Sequence, residues 1–479
     1  MNNLYTEVIK HAQEAERTWG SSYGLFSKLI NKNYFQTGVE IGVAFGGHSE
    51  AILTKTEVKK LYGVDPYMHM DDYNDPMNVS QEKFDEIYNF AVNRLKRFGK
   101  RYILIRKTSV NAALSIKEQV DFVYIDGDHS YKGIFSDLCT WFCKVREGGI
   151  IGGHDYGRQD LIGVKKAVDE FFRRFSWKIH EEGEGVWWVK KEKLNISFII
   201  PAFNCEKTIK KTVHSIVNTN MEIGDEIVIV DDYSIDNTPD VLNYLSKRFK
   251  NISIYKHYLN KGGGAARNTA IEHARNQLIF CLDADNILEK KSIQEIKKYL
   301  INNGLDSASF KNILYFKDNV NKITHSWTLS PSIVTLQDYF SKYAVPGSSG
   351  NYLFTKESWQ RAGGYLDYTF LLDTWSFGLR QIISGSKVGI MPFLHYYHRY
   401  GHASYWVREC KTKNVSLIAL QIIIPYLNLI DNNDVEYIMS KKGRYIWFDN
   451  LEKRPIKIAK SPGNKKITSL LKILLLRFK

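Results

Sequence analysis

Short apolar runs ending in glycine or aspartate alternate along this chain with longer amphipathic segments, and the alternation occurs twice. In the first half the runs are TGVEIGV, LYGVD, YILIRK, DFVYID and GGIIGGHD. Segments such as Gln81 to Phe98 and Tyr131 to Val145 lie between them and read as helices. Strand and helix patterns in alternation predict βαβ units around a parallel sheet. The aromatic stretch Trp177 to Val189 predicts antiparallel strands that close it. After KKEK, Lys190 to Lys193, the series restarts with ISFIIPAFN, EIVIVDD, ISIYKH and LIFCLDAD, which puts a boundary near residue 192. The two series share architecture but no motif. The predicted fold class is α/β, with two doubly wound domains over residues 1–190 and 194–410 and a basic, helical extension over 411–479.

Composition narrows the picture. At 479 residues the chain exceeds one ordinary core, and 44% hydrophobic with 25% charged residues is a globular composition. A net charge of +14 suits phosphorylated substrates, an anionic membrane or nucleic acid, but no nucleic-acid recognition motif accompanies it. The five cysteines are scattered, without a CxxC pair, which favours a reducing, cytoplasmic compartment. The N-terminus lacks the apolar segment of a secretory signal, and the apolar run Val415 to Ile430 is too short and broken to span a bilayer. The final NKKITSLLKILLLRFK alternates leucine-rich and basic positions, the pattern of peripheral attachment to the inner face of a membrane.

In the first half, GVEIGVAFGGHS (Gly38 to Ser49) takes a strand into a glycine-rich turn and then a helix. Such a turn lets the backbone approach a bound nucleotide. LYGVDPY follows and ends in Asp65, where a carboxylate can hold ribose hydroxyls. IDGDHSY (Ile125 to Tyr131) and EGGIIGGHDY (Glu147 to Tyr156) then bring Asp126, Asp128, His129, His154 and Asp155 to the carboxyl edge of one sheet. Over residues 36 to 175 these motifs resemble class I S-adenosylmethionine-dependent methyltransferases, specifically the IDGxHxY / GGxxxxHDY type that includes sugar O-methyltransferases. The resemblance implies a Rossmann-like domain in which Glu40, Gly42 and Gly46 line the S-adenosylmethionine pocket and Asp65 contacts the ribose. It also implies that Asp126 and Asp155 bind Mg2+ and that His129 is the general base. Tyr156 stands where metal-dependent relatives often carry Asn.

In the second half, Asp231 and Asp232 end one strand, and Asp283 and Asp285 follow another. Carboxylates on alternate residues beyond an apolar strand suit a divalent ion bridging a diphosphate. The order PAFNxE, DDxSxDxT, NxGxxxARN and LDAD resembles the inverting glycosyltransferases of family 2, with a GT-A fold, over residues 195 to 403. That resemblance implies that Pro201, Ala202, Asn204, Glu206 and Asp232 line the nucleotide pocket and that Arg267 and Asn268 sit beside the donor. Asp283 and Asp285 would bracket Mg2+ or Mn2+ and the donor ribose.

Downstream, GGYLDYTFLLDTWSFGLRQIISG is similar to the family's acceptor-side segment, with Asp373 as general base and Asp367 as fallback. His395, His398 or His402 could complete the metal or phosphate site. The expected protein is bifunctional. One domain transfers a sugar from a UDP-, GDP- or dTDP-linked donor to a glycan or lipid-linked saccharide; the other O-methylates a hydroxyl, in bacterial surface polysaccharide synthesis. The alternative makes the N-terminal domain a non-catalytic docking module.

Overall fold

The computed structural model describes residues 3–71, 77–330, 332–367, 371–401 and 409–459. His402 and the basic C-terminal segment therefore lie outside the described residues. The chain divides into two compact units, Met1–Lys193 with Ile301–Gly304, and Leu194–Leu300 with Leu305–Lys479.

The first unit is built on seven strands: β1 Thr37–Ile41, β2 Lys60–Val64, β3 Tyr102–Ile105, β4 Val120–Ile125, β5 Val145–Gly153, β6 His180–Gly183 and β7 Val186–Lys190. Their order is β3-β2-β1-β4-β5-β7-β6. β1 to β5 pair in parallel, while β7 runs antiparallel to β5 and β6 antiparallel to β7. The aromatic stretch therefore forms a hairpin, turned by Glu184 and Gly185 at φ 49° and 78°. Positive φ at both turn residues matches the twist of paired strands. The central strands β1 and β4 are almost wholly buried because helices cover both faces, which is why they read as continuous apolar runs.

The second unit carries β8 Ile196–Ala202, β9 Glu226–Asp231, β10 Ile252–Lys256, β11 Leu278–Cys281, β12 Ile287–Leu288, β13 Ser307–Phe316, β14 Ile323–Thr328, β15 Leu353–Thr355 and β16 Val388–Arg399. The order is β10-β9-β8-β11-β15-β13-β16-β12, with β14 added to β13. β8 to β11 are parallel neighbours, and β15 is antiparallel to both β11 and β13. The helix after β8 starts only at Ile209, because Asn204 at φ 49° first turns the chain out of the strand.

Residues 415–456 fold as helices and turns whose apolar side chains join the same core as the sequence before them. Ile422, Ile423, Trp447, Leu451 and Ile456 cluster with Trp375, Leu379, Val388 and Ile390. The apolar run breaks after Ile423 into a 3-10 turn, where Pro425 supplies no backbone N–H. No helix among the described residues is long and apolar enough to cross a membrane. All five cysteines are free thiols.

Asp137, on the buried face of the helix Tyr131–Trp141, is only 5% exposed, and burial pushes its pKa up to about 7 despite a hydrogen bond with Ser109. A carboxyl raised this way stabilises the fold fully below pH 4 and loses that advantage as the pH rises to 7. Asp137→Asn is therefore expected to raise stability by about 2–4 kcal/mol at pH 8 and to change it little at pH 4. Thermal unfolding across that pH range checks it.

Candidate active sites

In the first unit the glycine-rich turn is fixed by sterics. A Cβ on Gly42 would lie 1.9 Å from the Asp126 carbonyl oxygen, and Gly42 has φ 85°. Gly46, at φ 77°, opens the helix Gly47–Lys55. Two carboxylates hold this turn. Asp65 Oδ2 accepts the N–H groups of Val43 and Ala44 (both 3.0 Å), and Oδ1 accepts that of Tyr67 (2.8 Å). Burial raises the Asp65 pKa, with those N–H groups pulling the other way. Glu40 is 1% exposed; it accepts from Ser49 Oγ and lies 2.9 Å from His48 Nδ1. The two acidic residues expected to face a donor thus shape the loop that would receive it.

Asp126 follows β4, and His154 and Asp155 follow β5. Consecutive strand residues point to opposite faces. Here Asp155 adopts φ 61°, leaving the strand geometry, and both side chains turn toward Asp126. One ligand atom from each of Asp126, His154 and Asp155 lies within 4.8 Å of the others. His129 Nε2 is 3.2 Å from Asp155 Oδ2 and 3.5 Å from Asp126 Oδ1, and Arg158 Nη1 is 2.9 Å from Asp155 Oδ1. Burial would raise the Asp155 pKa, but His154, His129 and Arg158 together lower it. Burial would lower the His154 pKa; its hydrogen bond with Asp155 and the nearby charge of Asp126 raise it instead. Two carboxylates and the converging His154 imidazole form a donor set that fits a divalent ion. Asp128 instead accepts the Ser130 N–H at 2.8 Å and helps start the following helix.

In the second unit a cavity of about 1570 Å³ opens at the carboxyl ends of β8, β9 and β11. Of the residues expected there, Pro201, Ala202, Asn204, Asp232, Arg267, Asp283, Asp285 and Asp373 line it. Asp232 anchors the entrance to the helix Gly263–His273, accepting from Lys261 N (2.9 Å) and Gly262 N (2.7 Å), with His257 Nδ1 at 2.7 Å. Asn204 Oδ1 accepts the Ile235 N–H at 2.9 Å, and Glu206 accepts that of Asn237 at 3.0 Å. Glu206 and Asn268 fall outside the cavity lining. Asn268 is engaged by Trp359 Nε1 and by both backbone groups of Tyr365, so it ties the helix to the segment that leads to Asp373.

At the cavity floor Arg267, 7% exposed, donates to Asp373 Oδ2 at 2.6 Å and to Asp283 Oδ1 at 2.7 Å. Burial raises the Asp373 pKa while Arg267 opposes the rise. Burial, reinforced by the charge of Asp283, pushes Asp285 up to about 7. Two crowded carboxylates, one of them driven toward neutrality, are a pair that a divalent cation would relieve. Asn351 Nδ2 donates to Asp283 Oδ2 (3.0 Å) and Asn351 Oδ1 accepts the Asp283 N–H (2.7 Å). His398 reaches the cavity, and burial lowers its pKa to about 4. His395 instead faces Glu289 at 3.3 Å. Asp367 is absent from the cavity lining.

Residues 39–156 match a methyltransferase domain model, and residues 197–360 match the model of glycosyl transferase family 2. The chain joins a methyltransferase domain to a family 2 glycosyl transferase domain. The poly(ribitol-phosphate) beta-glucosyltransferase of Bacillus spizizenii is 36% identical over 102 residues, 21% of this chain and 16% of that protein. The poly(ribitol-phosphate) beta-N-acetylglucosaminyltransferase TarP of Staphylococcus aureus is 31% identical over 114 residues, 23% of this chain and 34% of that protein. This chain thus spans well under two thirds of the length of either relative. Among solved structures, S. aureus TarS 1-349 with UDP-GlcNAc matches at TM-score 0.41 and 15% identity, covering 54% of this chain and 70% of that one.

The glycosyl transferase match ends at residue 360, before Asp373. Beyond it lie cavity residues that sequence reasoning passed over, among them Asn414, Phe448 and Asp449. Their segment carries no recognisable motif, and only the apolar run after Asn414 marks it as buried. His257 and Asn351 were equally silent, since a lone His or Asn acquires meaning only from the carboxylate it meets.

Arg267→Met would leave Asp283 and Asp373 facing each other without a countercharge. Such a truncation of a buried ion network is expected to destabilise the second unit by about 3 kcal/mol, read as a lowered urea midpoint.

Proposed function

We propose that the second unit transfers a sugar with inversion from a nucleotide-sugar donor, UDP-linked or GDP- or dTDP-linked, to a hydroxyl of a glycan or lipid-linked saccharide. The observation that carries this reading is Arg267, which joins the carboxylate of the LDAD motif to Asp373 inside one cavity. In this reading Asp373 takes the proton of the acceptor hydroxyl as the oxygen attacks the anomeric carbon, and the nucleoside diphosphate departs on the opposite side. Burial suits Asp373 to this task by raising its proton affinity. Arg267 fixes the carboxylate's orientation through Oδ2, while the Thr374 N–H holds Oδ1 at 2.8 Å. Asp283 and Asp285 would hold Mg2+ or Mn2+, which when bound offsets the charge developing on the diphosphate. Relatives named for poly(ribitol-phosphate) support a bacterial surface polymer as acceptor.

The first unit, in the same proposal, methylates a hydroxyl with S-adenosylmethionine. The turn at Gly42 and Gly46 receives the donor, His129 removes the hydroxyl proton, and Asp126 with Asp155 would hold a divalent ion that lowers that hydroxyl's pKa. The free thiols support work on the cytoplasmic side.

Calorimetry on the full chain, with S-adenosylmethionine and separately with UDP-glucose, UDP-GlcNAc and GDP-mannose plus Mn2+, tests both halves. Each donor class is expected to bind, with Gly42→Val abolishing only the first and Asp285→Ala weakening only the second. Binding of nucleotide sugars alone would reduce the first unit to a docking module. For the base, Asp373→Asn is expected to leave nucleotide-sugar affinity within about 3-fold while lowering turnover at least about 100-fold.

A further inference from the structure

The sheet edge that opens the cavity of the second unit also carries side chains that the cavity does not use. The loop after β9 exposes Tyr233 at 47% and Ile235 at 82%, and the loop after β10 exposes Tyr258 at 94% and Leu259 at 58%. Scattered singly, exposed apolar residues are ordinary; grouped on adjoining loops they mark a surface that meets something. The two loops adjoin because Asn260 Nδ2 donates to the Asp232 carbonyl at 3.2 Å and Lys261 N donates to Asp232 Oδ1 at 2.9 Å. The loop after β8 is tied in as well. Asn204 N donates to Ser234 Oγ and Ile235 N to Asn204 Oδ1, both at 2.9 Å. Tyr233 sits at φ 69°, a backbone region that bulky residues rarely enter, and Asp231 Oδ1 holds the turn by accepting the Ser234 N–H at 2.9 Å.

Charge on the same edge is one-sided. Across residues 203–211, 231–240 and 256–261 five lysines are exposed, Lys207, Lys210, Lys211, Lys256 and Lys261, against one exposed carboxylate, Asp240. Asp231 and Asp232 are buried. Glu206 and Asp236 are partly buried and accept backbone N–H groups of these loops. None of the five lysines and none of the four apolar side chains lines the cavity, so a diphosphate held there accounts for neither set.

We propose that this edge docks on an anionic membrane: the lysines meet lipid phosphates, while Tyr233, Ile235, Tyr258 and Leu259 enter the boundary between headgroups and acyl chains. Apolar side chains interleaved with lysines suit that boundary, because lysine stems lie along apolar surface while their ammonium groups stay at the phosphates. A soluble polyanion would engage the lysines alone and leave Ile235 and Leu259 in water. The docking edge is separate in sequence from the basic, leucine-rich segment Asn464 to Lys479. Docking here requires neither transfer reaction proposed above. In the reading of the second unit given there, it sets the cavity, whose lining includes Phe203 and Asn204 on this edge, beside the surface from which a lipid-linked saccharide projects.

The test uses the full-length chain carrying Leu471→Glu and Leu475→Glu, so that the C-terminal segment does not supply the binding. It is sedimented with vesicles of phosphatidylcholine alone and of phosphatidylcholine with about one third phosphatidylglycerol. Binding is expected to the mixed vesicles only, and to weaken as salt is raised. Ile235→Asp with Leu259→Asp should weaken it about 10-fold or more, and so should Lys207→Gln, Lys210→Gln and Lys211→Gln together. An unchanged melting temperature confirms the fold of each variant. Hydrogen exchange should show the amides of residues 233–237 and 258–260 protected by the mixed vesicles. No sedimentation, equal sedimentation on both vesicle types, or binding retained by either variant would overturn the inference. Soluble polyphosphate bound equally well by the Ile235→Asp, Leu259→Asp chain, with no vesicle binding, would assign the lysines to a polyanion instead. Calorimetry with UDP-GlcNAc and Mn2+ on the same proteins reports separately on the transfer reading, which survives any of these outcomes.

Discussion

A buried guanidinium shared between two carboxylates organises the second unit. Arg267 sits on the helix that follows β10, Asp283 follows β11, and Asp373 opens a helix near the end of the sheet. Three segments distant in sequence must therefore reach one small volume at once. An arginine enclosed this way is tolerable only while both partners remain, since desolvating a charge costs more than a single pair repays. The surrounding hydrogen bonds serve that arrangement. Asn351 fixes Asp283, Thr374 N fixes Asp373, and Asn268 ties the arginine's helix to the segment leading toward Asp373. The Asp283 and Asp373 sides of the cavity are thereby one electrostatic object.

The first unit solves a related problem with backbone strain. Its sheet delivers strand ends to one edge, but a strand alternates its side chains and so offers one group per end. The left-handed turn at Asp155 doubles the yield of β5, giving an imidazole and a carboxylate from adjacent positions. Glycine does the opposite at position 42, where any side chain would strike the Asp126 carbonyl. The same short stretch of edge thus contains one residue strained to add a group and another stripped of its side chain to make room.

Much of this was legible in the sequence because periodicity and strand-end chemistry are local. The two strand series, the closing hairpin and the acidic strand ends all follow from patterns a few residues long. What escaped was of two kinds. Glu40 and Asp65 carry the expected charge at the expected strand ends, yet their oxygens bond to the loop's own N–H groups and to His48 and Ser49. Composition does not reveal which way a carboxylate faces. Asn351, His257 and the segment around Phe448 are the second kind: their importance comes from long-range packing, for which a single sequence holds no signal.

The shared core of residues 371–390 and 415–456 bears on how such chains diversify. A gene segment ending where the family match ends, at residue 360, would carry Val334, Tyr339, Phe340 and Val345 without Trp375, Leu379, Trp447 and Leu451, the side chains that share their core. Recombination at that point exposes a core, so the piece that can be exchanged intact is larger than the piece that is recognisable. The cavity residues Asn414, Phe448 and Asp449 and the core that carries them are inherited together, and the part of the chain with the least readable sequence is the part that travels with the cavity wall.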